Sequence, residues 1–403
     1  MTACHRTVIR LAYAGRIVKR PTLWQIARYF LVLGCTGFGG PVALANYMRK
    51  DLVERLSWLS ADEYDEGLAI ATACPGPLAY QLGVYCGFLT HRVGGAFTIA
   101  LAFAAGPVAI VVAVAALYVR FGSTWELRAL FYGIGPIVVG LIVKSCWDLG
   151  KKTLRRQRLA WIFAAVACVI TILVQKELTA IFLVAGALGI FLFPTAAPPS
   201  SPGPPERDVA PAGLSNAVAA VSTFQTVATS KIFLFFLKTG FLVFGSGLVI
   251  VPFLKAYVVD QYHWLGDRAF LDAVAVGLIS PGPVVVTATF VGFLLNNLPG
   301  ALAATAGIFA PSLAFVIIGT PILRRYRTNS RVQGFIRGVT VAVVGVLVGT
   351  SYLVARSSLL DWFSIAVFAV AVAVLFAARK IPDQLLIGSG ALIGLIAYPL
   401  LHR

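Results

Sequence analysis

Two Pro-Gly-Pro motifs interrupt apolar segments of this sequence, and each could create a binding site for an anion. Proline removes a backbone donor and glycine permits non-helical angles, so each motif should end one helix and start another. Free N–H groups at a helix start carry partial positive charge and attract anions. A kinked packing helix is the alternative interpretation. The motifs are Pro75-Gly76-Pro77 and Pro281-Gly282-Pro283, and the new helices start at Leu78, Ala79 and Tyr80 and at Val284, Val285 and Val286.

Glycine-rich segments form a second matched pair, Gly37-Phe38-Gly39-Gly40 and Phe244-Gly245-Ser246-Gly247. Such dense glycines either interrupt a helix or let two helices pack closely, and both interpretations stay open. Hydroxyl and amide donors beside the breaks suit a tetrahedral anion. The predicted substrate-binding residues are Gly39, Gly40, Pro75, Gly76, Pro77, Leu78, Tyr80, Gln81, Lys238, Gly245, Ser246, Gly247, Pro281, Gly282, Pro283, Val284 and Thr287.

Charged residues near the apolar spans are few, so each one is a candidate for function. Lys238 could neutralise a bound anion, or it could extend to the membrane surface as a snorkelling lysine. Arg49 and Lys255 end equivalent helices and are candidates to receive or release an anion, with interfacial anchoring as the alternative. Glu66 and Asp272 start the broken helices and are candidates for proton coupling, with favourable charge at a helix N-terminus as the alternative.

The elements that must position these residues are helices in a membrane. The chain has 403 residues, of which 59% are hydrophobic and 12% charged, whereas soluble proteins carry about 25% charged residues. Apolar segments long enough to cross a bilayer recur throughout, and such segments must be helical because lipid offers no partner for backbone polar groups. We therefore predict an all-α, polytopic helical membrane protein. The clearest apolar segments are 96–119, 129–147, 300–320, 338–354 and 362–378.

The sequence contains an internal repeat. A shift of 206 residues places 34–94 on 240–300 without a gap, matching Trp58 to Trp264 and one Pro-Gly-Pro to the other. Chance matches between apolar segments would not reproduce such residues in one register. We predict a first transmembrane domain at 1–193, a Pro/Ala/Ser-rich linker at 194–229, and a second transmembrane domain at 230–403.

Basic residues cluster in loops and predict that the two halves are inverted. The cluster at 151–158 follows its apolar span, whereas the cluster at 324–337 precedes the equivalent span, so the positive-inside rule orients the two spans oppositely. Inverted repeats with the substrate between them are a common transporter architecture. Inversion requires an odd number of crossings between the halves, and either 159–193 or 213–229 must supply it. The loop pattern also argues against nucleic acid as the partner of a chain with net charge +17.

Enzymatic signatures are missing from the sequence. The four histidines lie at termini or in loops, the six cysteines show no CxxC spacing, and there is no Walker or dinucleotide motif. We therefore expect no enzyme, no cofactor and no metal site. The sequence leaves oligomerisation open.

Both halves resemble one known family. The segments ATACPGPLAYQLGVYCGF and GLISPGPVVVTATFVGFL, with the glycine-rich runs before them, resemble the two domains of the chromate ion transporter (CHR) family, in its two-domain, long-chain form. The resemblance implies an oxyanion substrate, whereas composition and periodicity imply only a transporter.

The expected function is secondary transport of chromate out of the cytoplasm across the inner membrane, which would confer chromate resistance. Membrane potential or protons would drive it. Alternatives are a transporter of sulfate or another oxyanion, working in either direction, and a passive anion channel. The sequence shows no extra domain that would support a role as a membrane scaffold or a receptor.

Overall fold

The computed structural model describes most of the chain, and it is all-α apart from one two-residue strand pairing. Five of its helices are long and apolar enough to cross a membrane, and three shorter apolar helices accompany them. The prediction of a polytopic helical membrane protein is confirmed. The described residues are 20–38, 40–74, 76–122, 124–154, 157–174, 178–193, 227–245, 247, 250–320, 329–359, 361–377 and 382–401.

The same succession of helices occurs twice along the chain. The first half contains α1 (Leu23–Thr36), α2 (Gly40–Met48) continued by a π-helix (Arg49–Arg55), α3 (Ala61–Ala73), strand β1 (Gly76–Pro77), α4 (Leu78–Phe121), α5 (Trp125–Thr153), α6 (Arg158–Val174) and α7 (Leu178–Leu192). The second half contains α8 (Thr229–Gly240), strand β2 (Phe244–Gly245), α9 (Ile250–Phe253) continued by a π-helix (Leu254–Gln261), α10 (Asp267–Ile279), a 3₁₀ turn (Val284–Val286), α11 (Thr287–Ala314) continued by a π-helix (Phe315–Gly319), α12 (Ser330–Ser358), α13 (Trp362–Ala377) and α14 (Asp383–Leu401).

The first Pro-Gly-Pro motif lies at the tip of a helical hairpin. Helix α3 starts at a capping box formed by Ser60 and Glu63 and ends at Ala73, and α4 starts at Leu78. The hydroxyl of Tyr85 donates a hydrogen bond of 3.1 Å to Glu66, 19 residues earlier. In a continuous helix these residues would be about 28 Å apart, so the chain folds back sharply rather than kinking.

A second hairpin precedes it and has its tip at the glycine-rich segment. The hydroxyl of Tyr29 in α1 donates a 3.1 Å hydrogen bond to Asp51, which follows α2. The ring of Tyr29 also contacts Trp58 at 5.9 Å between centroids. In the second half Phe235 contacts Trp264 at 5.7 Å in the equivalent place. Each half therefore contributes two helical hairpins whose tips carry the predicted breaks.

The repeat is not gapless, which corrects the register inferred from the sequence. Helices α4 and α11 each bend back on themselves, and the turn is at His91 and Arg92 in the first but at Asn296 and Asn297 in the second, an offset one residue shorter than 206. The second half starts this arm with the 3₁₀ turn Val284–Val286. Three 3₁₀ residues rise about 6 Å where α-helix rises about 4.5 Å, so one residue fewer reaches the same point.

The last two helices of each half pack on the other half. Helices α6 and α7 lie against α12, while α13 and α14 lie against α5. Small residues allow backbones to meet there, as in other membrane helix pairs. Gly133 of α5 faces Gly390 and Gly394 of α14, and Gly189 of α7 faces Gly338 of α12 in the same way. The two halves are therefore interlaced rather than side by side.

The Pro-Gly-Pro hairpins of the two halves have their bases at opposite ends of the second arm of α4, the part of this helix that follows its bend. This arm, residues 93–121, begins beside the base of the first Pro-Gly-Pro hairpin and extends for about 42 Å. At its far end Tyr118 donates a 2.7 Å hydrogen bond to Asp272, at the base of the second hairpin. Residues of the two basic segments lie together where they are described, because Arg337 donates a 2.7 Å hydrogen bond to Gln157.

Two expectations about the connection between the halves lie partly outside the described residues. The linker predicted at 194–229 is described only from residue 227, and so is the possible extra crossing at 213–229. Before it, α6 and α7 contain 17 and 15 residues. Both are short for a helix that spans a bilayer core of about 30 Å.

Candidate functional site

The hairpin tips of the two halves meet and hydrogen-bond to each other. The N–H of Gly76 donates to the carbonyl of Val243, and the N–H of Gly282 donates to the carbonyl of Gly37 at 2.9 Å. The two bonds are equivalent under the repeat. Strands β1 and β2 extend the first contact as a parallel pair. The Pro-Gly-Pro break of each half is thus held by the glycine-rich break of the other.

Backbone conformation explains why glycine is needed at both Pro-Gly-Pro tips. Gly76 has φ of 135° and Gly282 has φ of 85°, values that other residues rarely adopt. A methyl group on Gly76 would overlap the side chains of Ser312 and Gln81, and one on Gly282 would overlap Pro107. Glycine therefore serves both the turn and the close approach of the opposite half.

Polar and aromatic side chains surround the first tip. Gln81 is fully buried, and its amide nitrogen lies against Gly76. The ring of Tyr80 contacts that of Phe309 of the second half in a tilted arrangement, at 4.3 Å between ring centroids, and the Tyr80 hydroxyl donates a 3.3 Å hydrogen bond to the carbonyl of Ala100. Helix α4 starts after Pro77 without a side-chain cap, so the N–H groups of its first turn have no side chain from that position to bind.

The second tip is arranged similarly but presents fewer side-chain donors. Gly247 lies against Val284 and Val285, so the glycine-rich break also touches the helix start within the second half. Thr287, directly after the 3₁₀ turn, donates its hydroxyl to the carbonyl of Val284 at 2.8 Å. Pro283 likewise provides no side-chain cap.

The predicted cations are either exposed or paired with carboxylates. Lys238 is exposed on α8, whose buried residues include Phe236 and Gly240. Arg49 forms an ion pair with Asp65. Lys255 is buried and paired with two carboxylates, at 2.8 Å from Asp260 and 2.6 Å from Asp267.

The two predicted coupling carboxylates occupy different surroundings. Glu66 is partly buried and accepts its hydrogen bond from Tyr85 of the same hairpin. Asp272 is only 5% exposed and accepts from Tyr118 of the other half. Arg268, one turn before Asp272, donates to the carbonyl of Arg128 at 3.3 Å. Asp272 therefore joins the base of one hairpin to the long arm of the opposite half.

Comparison with known proteins assigns the family. The profile described as Chromate transporter matches residues 24–190 and 230–395, and these two regions contain all four hairpins. This chain belongs to the chromate transporter family. As members of that family are transporters, it is a multi-pass transport protein of the membrane.

Curated relatives cover nearly the whole of this chromate transporter family member. It is 41% identical to the chromate transport protein of Cupriavidus metallidurans over 97% of both chains. It is 38% identical to the probable chromate transport protein of Synechococcus elongatus over 93% of this chain and 95% of that one. The chromate transport protein of Pseudomonas aeruginosa is 31% identical over 81% and 80%. No solved structure matches.

The sequence located most of the residues at the tips of this transporter but missed some contacts. Three of its candidates, Gly39, Pro75 and Ser246, lie outside the described residues. Sequence reasoning did not single out Ser312, which lies against Gly76, or Tyr118, which binds Asp272. Ser312 sits in an apolar run of α11, where a single hydroxyl usually bonds its own helix backbone and gives no separate signal.

Proposed function

We propose that this protein is a secondary transporter that moves chromate out of the cytoplasm across the inner membrane and so confers chromate resistance. The observation that carries the proposal is the meeting of four hairpin tips, with two helix starts, Leu78 and Val284, beside the contact. Helix N-termini favour anions. Three relatives are named chromate or probable chromate transport proteins, which supports chromate as the substrate.

Inverted repeats would give this site alternating access. We propose transmembrane domains at 1–193 and 230–403, inverted in the membrane and joined by the linker 194–229. The separation of the hairpin bases along 93–121 supports inversion, and so does the hydrogen bond of Arg337 to Gln157, which brings one residue of each basic segment together. Rocking one set of hairpins against the other around the tips would open the site to each side in turn.

Membrane potential is the simplest driving force, because a negative interior expels an anion. Proton coupling would add to it through a carboxylate that moves between states. Asp272 fits this role better than Glu66, since it is nearly fully buried and bonds to the opposite half. Arg49 and Lys255 would then stabilise the bases of the hairpins through their ion pairs with carboxylates.

Sulfate is the alternative substrate, because it is a dianion of the same shape, and N–H and hydroxyl donors separate such isosteres weakly. The alternatives to export are transport of the anion in the opposite direction and passive conduction through a channel.

The deciding measurement is chromate uptake into everted inner-membrane vesicles energised by respiration, with sulfate as competitor and an uncoupler as control. Saturable uptake that the uncoupler abolishes supports an energised exporter, whereas uptake only into right-side-out vesicles would indicate an importer. Movement that neither saturates nor needs energy would indicate a channel.

A further inference from the structure

Ser312 is a buried hydroxyl at the first Pro-Gly-Pro tip. It belongs to α11 of the second half and is 0% exposed, and its hydroxyl makes no hydrogen bond within the part of the chain that the structure describes. The hydroxyl lies against Gly76, at the same point as the amide nitrogen of Gln81. A buried hydroxyl without a partner is unfavourable, and a ligand that brings an acceptor to this point would satisfy it.

The start of α4 adds backbone donors to these two side chains. Pro77 provides no side-chain cap, and the first N–H groups of the helix at Leu78, Ala79 and Tyr80 have no partner within the helix. Hydroxyl, amide and backbone N–H groups all donate hydrogen bonds, and a tetrahedral oxyanion only accepts them. The chemistry at the first tip therefore matches a doubly charged oxyanion.

The second tip lacks this combination. In the second half the place of Gly76 is taken by Gly282, and the residue that packs on it is Pro107, which has no donor. Thr287, directly after the 3₁₀ turn, donates its hydroxyl to the carbonyl of Val284. The two tips share one backbone geometry but differ in the side chains that could hold an anion.

We propose that the transporter holds its oxyanion at the first tip, where Ser312 of the second half and Gln81 of the first bind it together. This inference rests on the proposed function and names which of the two related tips takes the substrate. Because the two donors come from opposite halves, the anion bridges the elements that must move apart. Binding would thereby favour the state in which the tips stay closed around the substrate.

The test compares Ser312→Ala with Pro107→Ala, its counterpart at the other tip, in everted vesicles supplied with chromate. Loss of one hydrogen bond to a charged ligand should raise the KM of Ser312→Ala about tenfold, while Pro107→Ala should stay within about twofold of wild type by the same reasoning. Ser312→Thr, which keeps the hydroxyl, should restore most of the affinity.

Thermal unfolding of the purified proteins with sodium chromate separates a binding role from a structural one. Ser312→Ala should be at least as stable as wild type without chromate, because it removes a buried unpaired group. It should lose most of the Tm increase that chromate gives wild type. If wild type binds and transports chromate and Ser312→Ala matches it in both assays, the inference is overturned and the proposed function stands. If wild type neither binds nor moves chromate, the proposed function fails and the inference falls with it.

Discussion

Asp272 is the residue at which proton coupling can be tested most directly. We expect Asp272→Asn to lose the stimulation of chromate transport by an imposed pH gradient and to keep the component driven by potential. An amide can still accept the hydrogen bond of Tyr118 but cannot release a proton. The measurement is uptake into vesicles with the potential clamped and the pH gradient varied.

The matched control for this test is Glu66→Gln, the equivalent change in the first half. Glu66 is less buried and bonds within its own hairpin, so we expect its pH stimulation to remain near that of wild type. Equal stimulation in wild type and Asp272→Asn would rule out Asp272 as the coupling group and leave it a structural link between the halves.

Sequence reasoning at the residue scale succeeded where the residue type itself dictates backbone behaviour. Pro-Gly-Pro must break a helix, and its duplication made it visible without a structure. Ser312 was hidden for the opposite reason. Its proposed role depends on a contact with Gly76 in the other half of the chain. The equivalent residue of the repeat is Pro107, which has no hydroxyl, so comparing the two halves of the sequence does not reveal Ser312.

At the scale of elements, the contact between α5 and α14 holds the two halves together. Gly133 faces the backbone of Gly390 and Gly394, so a larger side chain there would push the helices apart. We expect Gly133→Val to destabilise the protein by about 1–3 kcal/mol, the usual cost of overpacking a close contact. Thermal unfolding in detergent measures the change.

Gly135 provides the control for this substitution on the same helix. A Cβ atom added there would meet no atom of another element within 4 Å, so Gly135→Val should leave Tm nearly unchanged. A similar loss in both variants would mean that the helix backbone, rather than the contact with α14, responds to valine.

The hairpins show which helix boundaries can be predicted from the sequence and which folds of the chain cannot. Pro-Gly-Pro predicted that one helix ends before it and another starts at Leu78, and α3 ends at Ala73 and α4 starts at Leu78. Proline and glycine indicate only that a helix ends. Whether the chain kinks or folds back depends on contacts such as that between Tyr85 and Glu66, which no local pattern encodes.

The proposed inversion of the two halves concerns the whole molecule, and labelling can test it. Val93 and Leu298 follow the equivalent turns of α4 and α11, and they are 43% and 49% exposed. In a variant without native cysteines, we expect an impermeant maleimide to label Val93→Cys from the cytoplasmic side and Leu298→Cys from the opposite side. The positive-inside rule, applied to the basic segments, predicts that the turn at Val93 faces the cytoplasm. Labelling of both from one side would contradict inversion.

Interlacing also predicts how the two halves behave when the chain is cut. Helices α6 and α7 pack on α12, and α13 and α14 pack on α5, so each half alone would expose the small-residue faces that its partner covers, such as that of Gly189. We expect residues 1–205 and 206–403, expressed together, to co-purify and to restore chromate transport. Either fragment alone should aggregate or be degraded, because in a membrane such faces are stabilised mainly by close packing against a partner.

The measurement is affinity purification through a tag on one fragment, followed by size-exclusion chromatography in detergent. The control is the same pair carrying Gly133→Val, which should weaken co-purification, whereas Gly135→Val should not. Fragments that are each monodisperse alone and fail to associate would mean that the two halves fold as independent bodies, and the contacts between them would then have to form after folding.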